Sequence, residues 1–297
     1  DRRFISWSCV QRAGLLGSSS MIKVYRGKES ILISDGEQVY EHASFSFDQL
    51  FRASNPKTVL EDAMREGTPV SAEALNKPNW LPPMGNQEVW AAGVTYFRSR
   101  EARMEESEDA GGDVFYDMVY EADRPELFFK ATPARTRGHG APICIRKDST
   151  WDVPEPELTL AINSQGKIFG YTIGDDVSSR SIEGENPLYL PQAKVYCGSC
   201  AIGPALCLGE PPSKDTGINL TIRRNGEVAF EDRTTLHQLK RSLEELVDFL
   251  YRDNEFPDGA LLMTGTGIVP STEFTLQSGD VVAITIDGLG TLENAVA

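Results

Sequence analysis

At 297 residues with a net charge of −15, the chain can bury a sizeable core, and its acidity argues against nucleic acid or an anionic membrane surface as a partner. A content of 40% hydrophobic and 25% charged residues is that of an ordinary globular protein, and no apolar run of about 18 residues exists to span a bilayer. The same acidity repels an anionic small molecule at long range, so a pocket for one must supply its own cations.

Residues 1–20 begin with a basic Asp1-Arg-Arg3, but their apolar stretch is broken by Ser, Gln and Arg, which excludes a secretory signal. They read as a leader or added segment, poorly ordered, with Met21 as the native start. Ile22–Tyr25 and Ser30–Ser34 are short β-like runs, and Phe47–Ala53 and Lys57–Arg65 have helical patterns, the second closed by Gly67. Leu75–Gly85, with Pro78, Pro82 and Pro83, reads as a linker. Residues 21–85 are therefore expected to form a small α+β domain, and 86–297 the main one.

Glu88–Tyr96 opens that main domain as a buried strand, and the charged, helix-forming stretch Arg98–Glu108 follows it. Pro125–Thr132 reads as a strand whose alternate residues Glu126, Phe128 and Lys130 share a face. Arg135–Pro142, around Gly138-His-Gly140, is a loop, and His139 is the histidine best able to approach a site. The odd set Cys9, Cys144, Cys197, Cys200 and Cys207 gives no disulfide framework, so a reducing cytoplasm is expected. Cys197-Gly-Ser-Cys200 has redox or half-zinc spacing; without a second such pair, structural thiols are the better reading.

The stretch Trp151–Tyr196 carries the chemistry. In Val153-Pro-Glu-Pro-Glu-Leu158 the glutamates are two apart, so a strand points Glu155 and Glu157 to one side. The prolines remove ladder donors, which predicts an edge or bulged segment. Asp175-Asp176 closes the apolar run Ile168–Ile173. Carboxylates converging on one point repel unless a cation lies between them, and oxygen-only ligands select a hard ion: Mg²⁺, with Mn²⁺ or Ca²⁺ as alternatives. A solvated acidic edge is the competing reading.

Beyond it, Asn225-Gly226 between Asn219–Arg224 and Val228–Phe230 signals a hairpin. Thr234–Tyr251 reads as one helix with a stripe of Leu236, Leu239, Leu243, Leu246 and Leu250. Leu261–Pro270 runs from strand into the glycine loop Thr264-Gly-Thr-Gly267, and Val281–Ile286 starts a final hairpin. Without βαβ alternation a Rossmann fold is disfavoured, and an α+β, mostly β architecture is expected.

The E-x-E pair followed by Gly170-Tyr-Thr-Ile-Gly-Asp-Asp-Val-Ser-Ser-Arg180 resembles the fumarylacetoacetate hydrolase family. The run Arg180–Lys194, Arg-Ser-Ile-Glu-Gly-Glu-Asn-Pro-Leu-Tyr-Leu-Pro-Gln-Ala-Lys, resembles that family's 2-keto-3-deoxy-D-arabinonate dehydratase branch. The resemblance covers about Glu88 to the C-terminus. It implies a rolled mixed β-sandwich catalytic domain and a homodimer or higher homo-oligomer. Because the family usually has Asn-Asp where this chain has Asp175-Asp176, it implies Glu155, Glu157 and Asp176 as metal ligands. It also implies that the charged stretch Arg98–Glu108 is a lid over the metal, a solvated face being the competing reading. Glu126 becomes the acid/base candidate, with a salt bridge to Lys130 as its alternative. Lys194 would pair with a substrate carboxylate or an enolate, or form a Schiff base; a surface lysine is the competing reading. Lys130, Ser99, Arg100 and Thr266 are the candidate substrate contacts, with pairing to a metal carboxylate the alternative for Lys130.

A 2-keto acid can offer a carboxylate and a ketone oxygen to one ion, which lowers the barrier to proton removal at C3. Hydrolytic members resemble one another in a lid histidine, where this chain has Ser99. The expected activity is therefore a Mg²⁺-dependent hydro-lyase that dehydrates a 2-keto-3-deoxy-pentonate to 2,5-dioxopentanoate in sugar-acid catabolism. The runner-up is an acylpyruvate hydrolase or oxaloacetate decarboxylase of the same family, followed by a non-catalytic keto-acid-binding protein.

Overall fold

A computed structural model describes residues 21–98 and 118–297. The expected leader over 1–20, most of the expected lid, and Ser99 and Arg100 lie outside the described residues.

In chain order, β1 (Ile22–Arg26), β2 (Ile31–Ser34) and β3 (Val39–His42) precede α1 (Phe47–Arg52), α2 (Pro56–Glu66) and β4 (Thr68–Val70). Then come β5 (Glu88–Gly93), β6 (Glu126–Ala131), β7 (Thr136–Arg137), β8 (Asp152–Val153), β9 (Pro156–Ile162) and β10 (Ile168–Asp176). β11 (Ser178–Ser179), α3 (Arg180–Glu185), α4 (Leu190–Lys194) and β12 (Cys200–Leu208) follow. The chain closes with β13 (Gly217–Arg224), β14 (Glu227–Thr235), α5 (Leu243–Tyr251), β15 (Ala260–Met263), β16 (Val281–Ile286) and β17 (Gly290–Ala295).

The large mixed sheet has the order β4-β3-β2-β1-β12-β10-β9-β15-β5-β6, with β7 paired to β12. A second sheet, β14-β13-β16-β17, packs over it. Strand periodicity divides the inner strands between two cores. Leu158, Leu160 and Ile162 of β9 meet Ile218, Leu220, Ile222, Val282 and Ile284 of the second sheet. Ala161 and Met263 face the other way, onto Phe47, Leu50 and Phe51 of α1 and Leu60 of α2. A strand buried on both faces reads as a continuous apolar run, which is what Leu158–Ile162 is. The segment 21–85 is tied to the rest by pairing of β1 with β12, so both share this sheet.

Two expected elements differ. The E-x-E segment is no edge strand: β9 lies between β10 and β15, and its prolines are accommodated because Pro156 is its first residue and Pro154 precedes it. The helix expected over Thr234–Tyr251 is three pieces. β14 continues through Thr235 along β13, a 3₁₀ turn spans Leu236–Gln238, and α5 begins at Leu243. The β-branched Thr234-Thr235 pair favours the ladder, and Ser242 starts the helix afresh by accepting the Glu245 N–H at 3.1 Å. Hairpins at Asn225-Gly226 and after Ile286 form as expected. Among the described residues, no helix is long and apolar enough to cross a membrane.

Leu160 is fully buried between the two sheets. Leu160→Ala should cost about 2–5 kcal/mol, read as a lower urea midpoint with an unchanged m value.

Candidate metal centre and active site

The site lies where β9 and β10 end together. Glu157 lies on β9 opposite Gly174, and the backbone of Asp176 donates to the Glu155 carbonyl at 3.0 Å. Alternation along β10 puts Asp176 on the face of Gly174 and hence of Glu157, and turns Asp175 to the other. Oxygens of Glu155, Glu157 and Asp176 lie within 4.8 Å of one another, and all three residues are buried. A solvated acidic edge is therefore not what these residues form.

Three cations meet two of the three carboxylates, Glu155 and Asp176. Arg180 pairs with Glu155 Oε1 at 2.9 Å. Lys194 Nζ reaches Glu155 Oε2 at 2.8 Å, Asp176 Oδ2 at 3.1 Å and Ser178 Oγ at 2.6 Å. Lys130 pairs with Asp176 Oδ1 and donates to the carbonyls of Lys194 at 2.7 Å and Val177 at 3.0 Å. Lys194 is 1% exposed, which overturns the surface-lysine alternative, and Lys130 takes its own alternative, pairing with a metal carboxylate.

No ion pair holds Glu157 among the described residues. Its Oε2 accepts the Gly265 N–H at 2.6 Å. Burial, and then the charges of Asp176 and Glu155, raise its pKa well above the ordinary carboxylate value. Asp175 accepts the Glu155 N–H at 3.1 Å, and burial pushes its carboxyl up to about 8. The donor set is hard, anionic and convergent, and one member carries no ion pair among the described residues, so it fits a divalent ion such as Mg²⁺.

The cavity over the triad is lined by Gly93, Glu126, Phe128, Arg180, Glu183 and Thr266, among others. Glu126 faces Gly93 across β5 and β6, and its carboxylate occupies the space that a Cβ on Gly93 would fill. Thr266 reaches the cavity, but its hydroxyl is engaged by the backbone of Ile268, with both contacts at 3.2 Å. The glycine loop's free N–H thus serves Glu157, a carboxylate of the protein itself. His139 does not approach the site: its Nδ1 accepts the Glu293 N–H at 3.1 Å beside β17. His42 is in β3, and His237 is in the 3₁₀ turn before α5. Cys144, Cys197, Cys200 and Cys207 are free thiols, Cys200 and Cys207 being buried.

Sequence reasoning gave no role to Arg180, Ser178, Glu183 or Gly93, and left Asp175 without one. Ser178 and Arg180 stood inside the quoted motif and could have been found there. Gly93 offers no signal in one sequence, since its role is to leave room for a residue 33 positions away.

The family model "Fumarylacetoacetate (FAA) hydrolase C-terminal" matches residues 89–297. A Haloferax volcanii protein named "probable 2-keto-3-deoxyxylonate dehydratase" is 53% identical over 239 residues, 80% of this chain and 81% of that one. A 2-dehydro-3-deoxy-D-arabinonate dehydratase of Saccharolobus solfataricus is 43% identical over 252 residues, 82% and 84% of the two chains. The solved structure of a 2-keto-3-deoxy-D-arabinonate dehydratase complexed with magnesium and 2,5-dioxopentanoate is 36% identical. It superposes with a TM-score of 0.78 over 93% of this chain and 98% of that one.

A raised carboxylate pKa means that the folded, metal-free protein holds protons that the unfolded chain releases. Its stability therefore falls as pH rises from the ordinary carboxylate range through the raised values of Glu157 and Asp175. A metal ion needs the ionised ligands, so the gain in Tm given by Mg²⁺ should grow between about pH 5 and about pH 8 in thermal melts. Gly93→Ala should displace the Glu126 carboxylate and lower kcat by about tenfold or more, with the Mg²⁺-induced gain in Tm kept.

Proposed function

Since the chain belongs to the fumarylacetoacetate hydrolase family, we infer from this site that it is a Mg²⁺-dependent hydro-lyase. It dehydrates a 2-keto-3-deoxy-pentonate to 2,5-dioxopentanoate. The observation that carries this reading is the convergence of Glu155, Glu157 and Asp176 within 4.8 Å, with the Lys194 ammonium bonded to two of them.

When bound, Mg²⁺ supplies a hard electrophile that polarises a ketone oxygen. Glu155, Glu157 and Asp176 hold it. Glu126, reaching the cavity from β6, takes the proton from C3. Lys194 faces the negative charge that develops as C3 is deprotonated, and as a positive charge already fixed by Ser178 and two carboxylates it needs little reorganisation to stabilise it. Lys130 fixes Asp176 and the backbone of Lys194, which keeps both in register. Thr266, and from outside the described residues Ser99 and Arg100, contact the substrate's carboxylate and hydroxyls. The absence of a histidine in the cavity among the described residues speaks against acylpyruvate hydrolysis, which needs a base for water.

The protein is further proposed to work in the cytoplasm, a reading supported by four free thiols among the described residues. It is also proposed to form a homodimer or higher homo-oligomer, and exposed Leu188 and Met118 offer apolar surface for such an interface. Light scattering of the purified protein reads that state directly.

Purified protein incubated with Mg²⁺ and 2-keto-3-deoxypentonate should release 2,5-dioxopentanoate; absence of the aldehyde with both C4 epimers would sink the reading. Chelation should abolish turnover and added Mg²⁺ restore it. Glu157→Gln should weaken Mg²⁺ binding by about tenfold or more. Lys194→Ala should lower kcat by about 100-fold or more.

A further inference from the structure

Four cysteines lie among the described residues, and the metal centre and its cavity use none of them. Cys200 and Cys207 are buried in β12, and burial pushes each thiol up to about 12, so both stay protonated and unreactive. Cys200 turns its sulfur to Thr136 Oγ1, 3.9 Å away inside the sheet. Cys197 and Cys144 differ. Cys197, expected as a structural thiol, is exposed, and its Sγ accepts an N–H of Arg137 at 3.2 Å. Cys144 is half-buried, and its backbone N–H donates to the Gly198 carbonyl at 3.0 Å. A Cβ on Gly198 would lie 2.7 Å from the Cys144 Sγ and 3.1 Å from its Cβ. The thiol presented to the Cys197 turn is therefore that of Cys144, not the Cys200 of the C-x-x-C spacing. Gly198, at φ +74°, lets that turn rotate where a side chain would lock it.

The same turn follows Lys194 directly. Ser199 Oγ lies 2.9 Å from the carbonyl oxygens of Lys194 and Tyr196, and it accepts the Tyr196 N–H at 3.3 Å. The Ser199 carbonyl accepts the Val177 N–H at 2.9 Å, and Lys130 holds the Lys194 carbonyl at 2.7 Å. A change of shape over residues 196–199 thus reaches, through the Lys194 backbone, the ammonium that pairs with Glu155 and Asp176.

We propose that Cys197 and Cys144 are a reversible redox pair whose disulfide moves this turn, draws Lys194 off the two carboxylates and switches the site off. The oxidant is a peroxide. The Cys197 sulfur takes one oxygen from hydrogen peroxide and releases one water, leaving a sulfenic acid beside Arg137. The Cys144 sulfur attacks it, expels that oxygen as a second water and closes the S–S bond. Two thiols lose two hydrogens, and one peroxide becomes two waters. An S–S bond of about 2.05 Å requires Cys197 to leave Arg137 and swing toward Cys144, so the turn must yield.

The test treats the protein with hydrogen peroxide and maps its peptides without reductant. Mass spectrometry should find the peptides of Cys144 and Cys197 joined, and dithiothreitol should part them. In the oxidised protein kcat should fall by about tenfold or more and return with dithiothreitol. Drawing Lys194 away leaves Glu155 and Asp176 with one cation fewer, so the Mg²⁺-induced gain in Tm should rise on oxidation. Cys197→Ser and Cys144→Ser should each keep the wild-type kcat before and after peroxide.

A map that shows no Cys144–Cys197 disulfide would overturn the pairing, as would peroxide inactivation of Cys197→Ser to the wild-type extent. A disulfide that leaves kcat unchanged, or a gain in Tm that falls together with kcat, would overturn the link to Lys194. The peptide map and the melts need no substrate. They decide the proposal even for a wild-type protein inactive on the pentonate, a result that would defeat the dehydratase reading alone.

Discussion

Three carboxylates within 4.8 Å of one another, buried in a protein interior, constrain everything around them. At an effective dielectric of about 20, two unit charges at that separation repel by about 3 kcal/mol, before the cost of removing each from water. The fold meets this with Arg180, Lys194 and Lys130, delivered from the start of α3, from the end of α4 and from near the end of β6. Each is itself buried, so each depends on the carboxylates as much as they depend on it. When all three acids are ionised the set is near neutral without metal, and a divalent ion leaves an excess of about two positive charges. A 2-oxo acid that loses a C3 proton brings two negative charges of its own. An acidic protein can in this way attract an anion locally while repelling anions at a distance.

The sheet makes the arrangement rigid. β9 is apolar on both faces, held by the sandwich core on one side and by α1 and α2 on the other, so its end cannot drift. The site begins where that apolar run stops: Glu155 and Glu157 precede Leu158, and Asp176 is the last residue of β10. Asp175 and the Gly265 N–H then tie the glutamates to neighbouring segments. Proline is tolerated here for the same reason, since the ladder has only just begun.

Around this fixed centre the cavity walls decide what is done to a bound keto acid. Polarising a ketone is common to enolisation, hydrolysis and decarboxylation. A wall carrying Glu126 and Glu183, with no histidine among the described residues, favours chemistry in which protons move along the substrate over chemistry in which water attacks it.

The sequence by itself determined the ligand types, the mostly β architecture and the residues most worth examining. Strand alternation is local, so the pairing of Glu155 with Glu157 and the hairpin at Asn225-Gly226 were legible from spacing. Choosing Asp176 over Asp175 needed the family resemblance, and the structure supplies the reason in the face that each presents. Position in the sheet was not legible: nothing in Val153–Leu158 says that β15 will lie beside β9, because its partner is about 100 residues away in sequence. The Thr234–Tyr251 stripe misled because leucines at helical spacing also fit a strand, a turn and a short helix that bury the same side. Only the tertiary structure decided that Lys130 and Lys194 lie buried against carboxylates, that Gly93 makes room for Glu126, and that Glu183 shares the cavity. These are contacts between residues far apart in the chain, and their energies exist only once the sheet has brought them together.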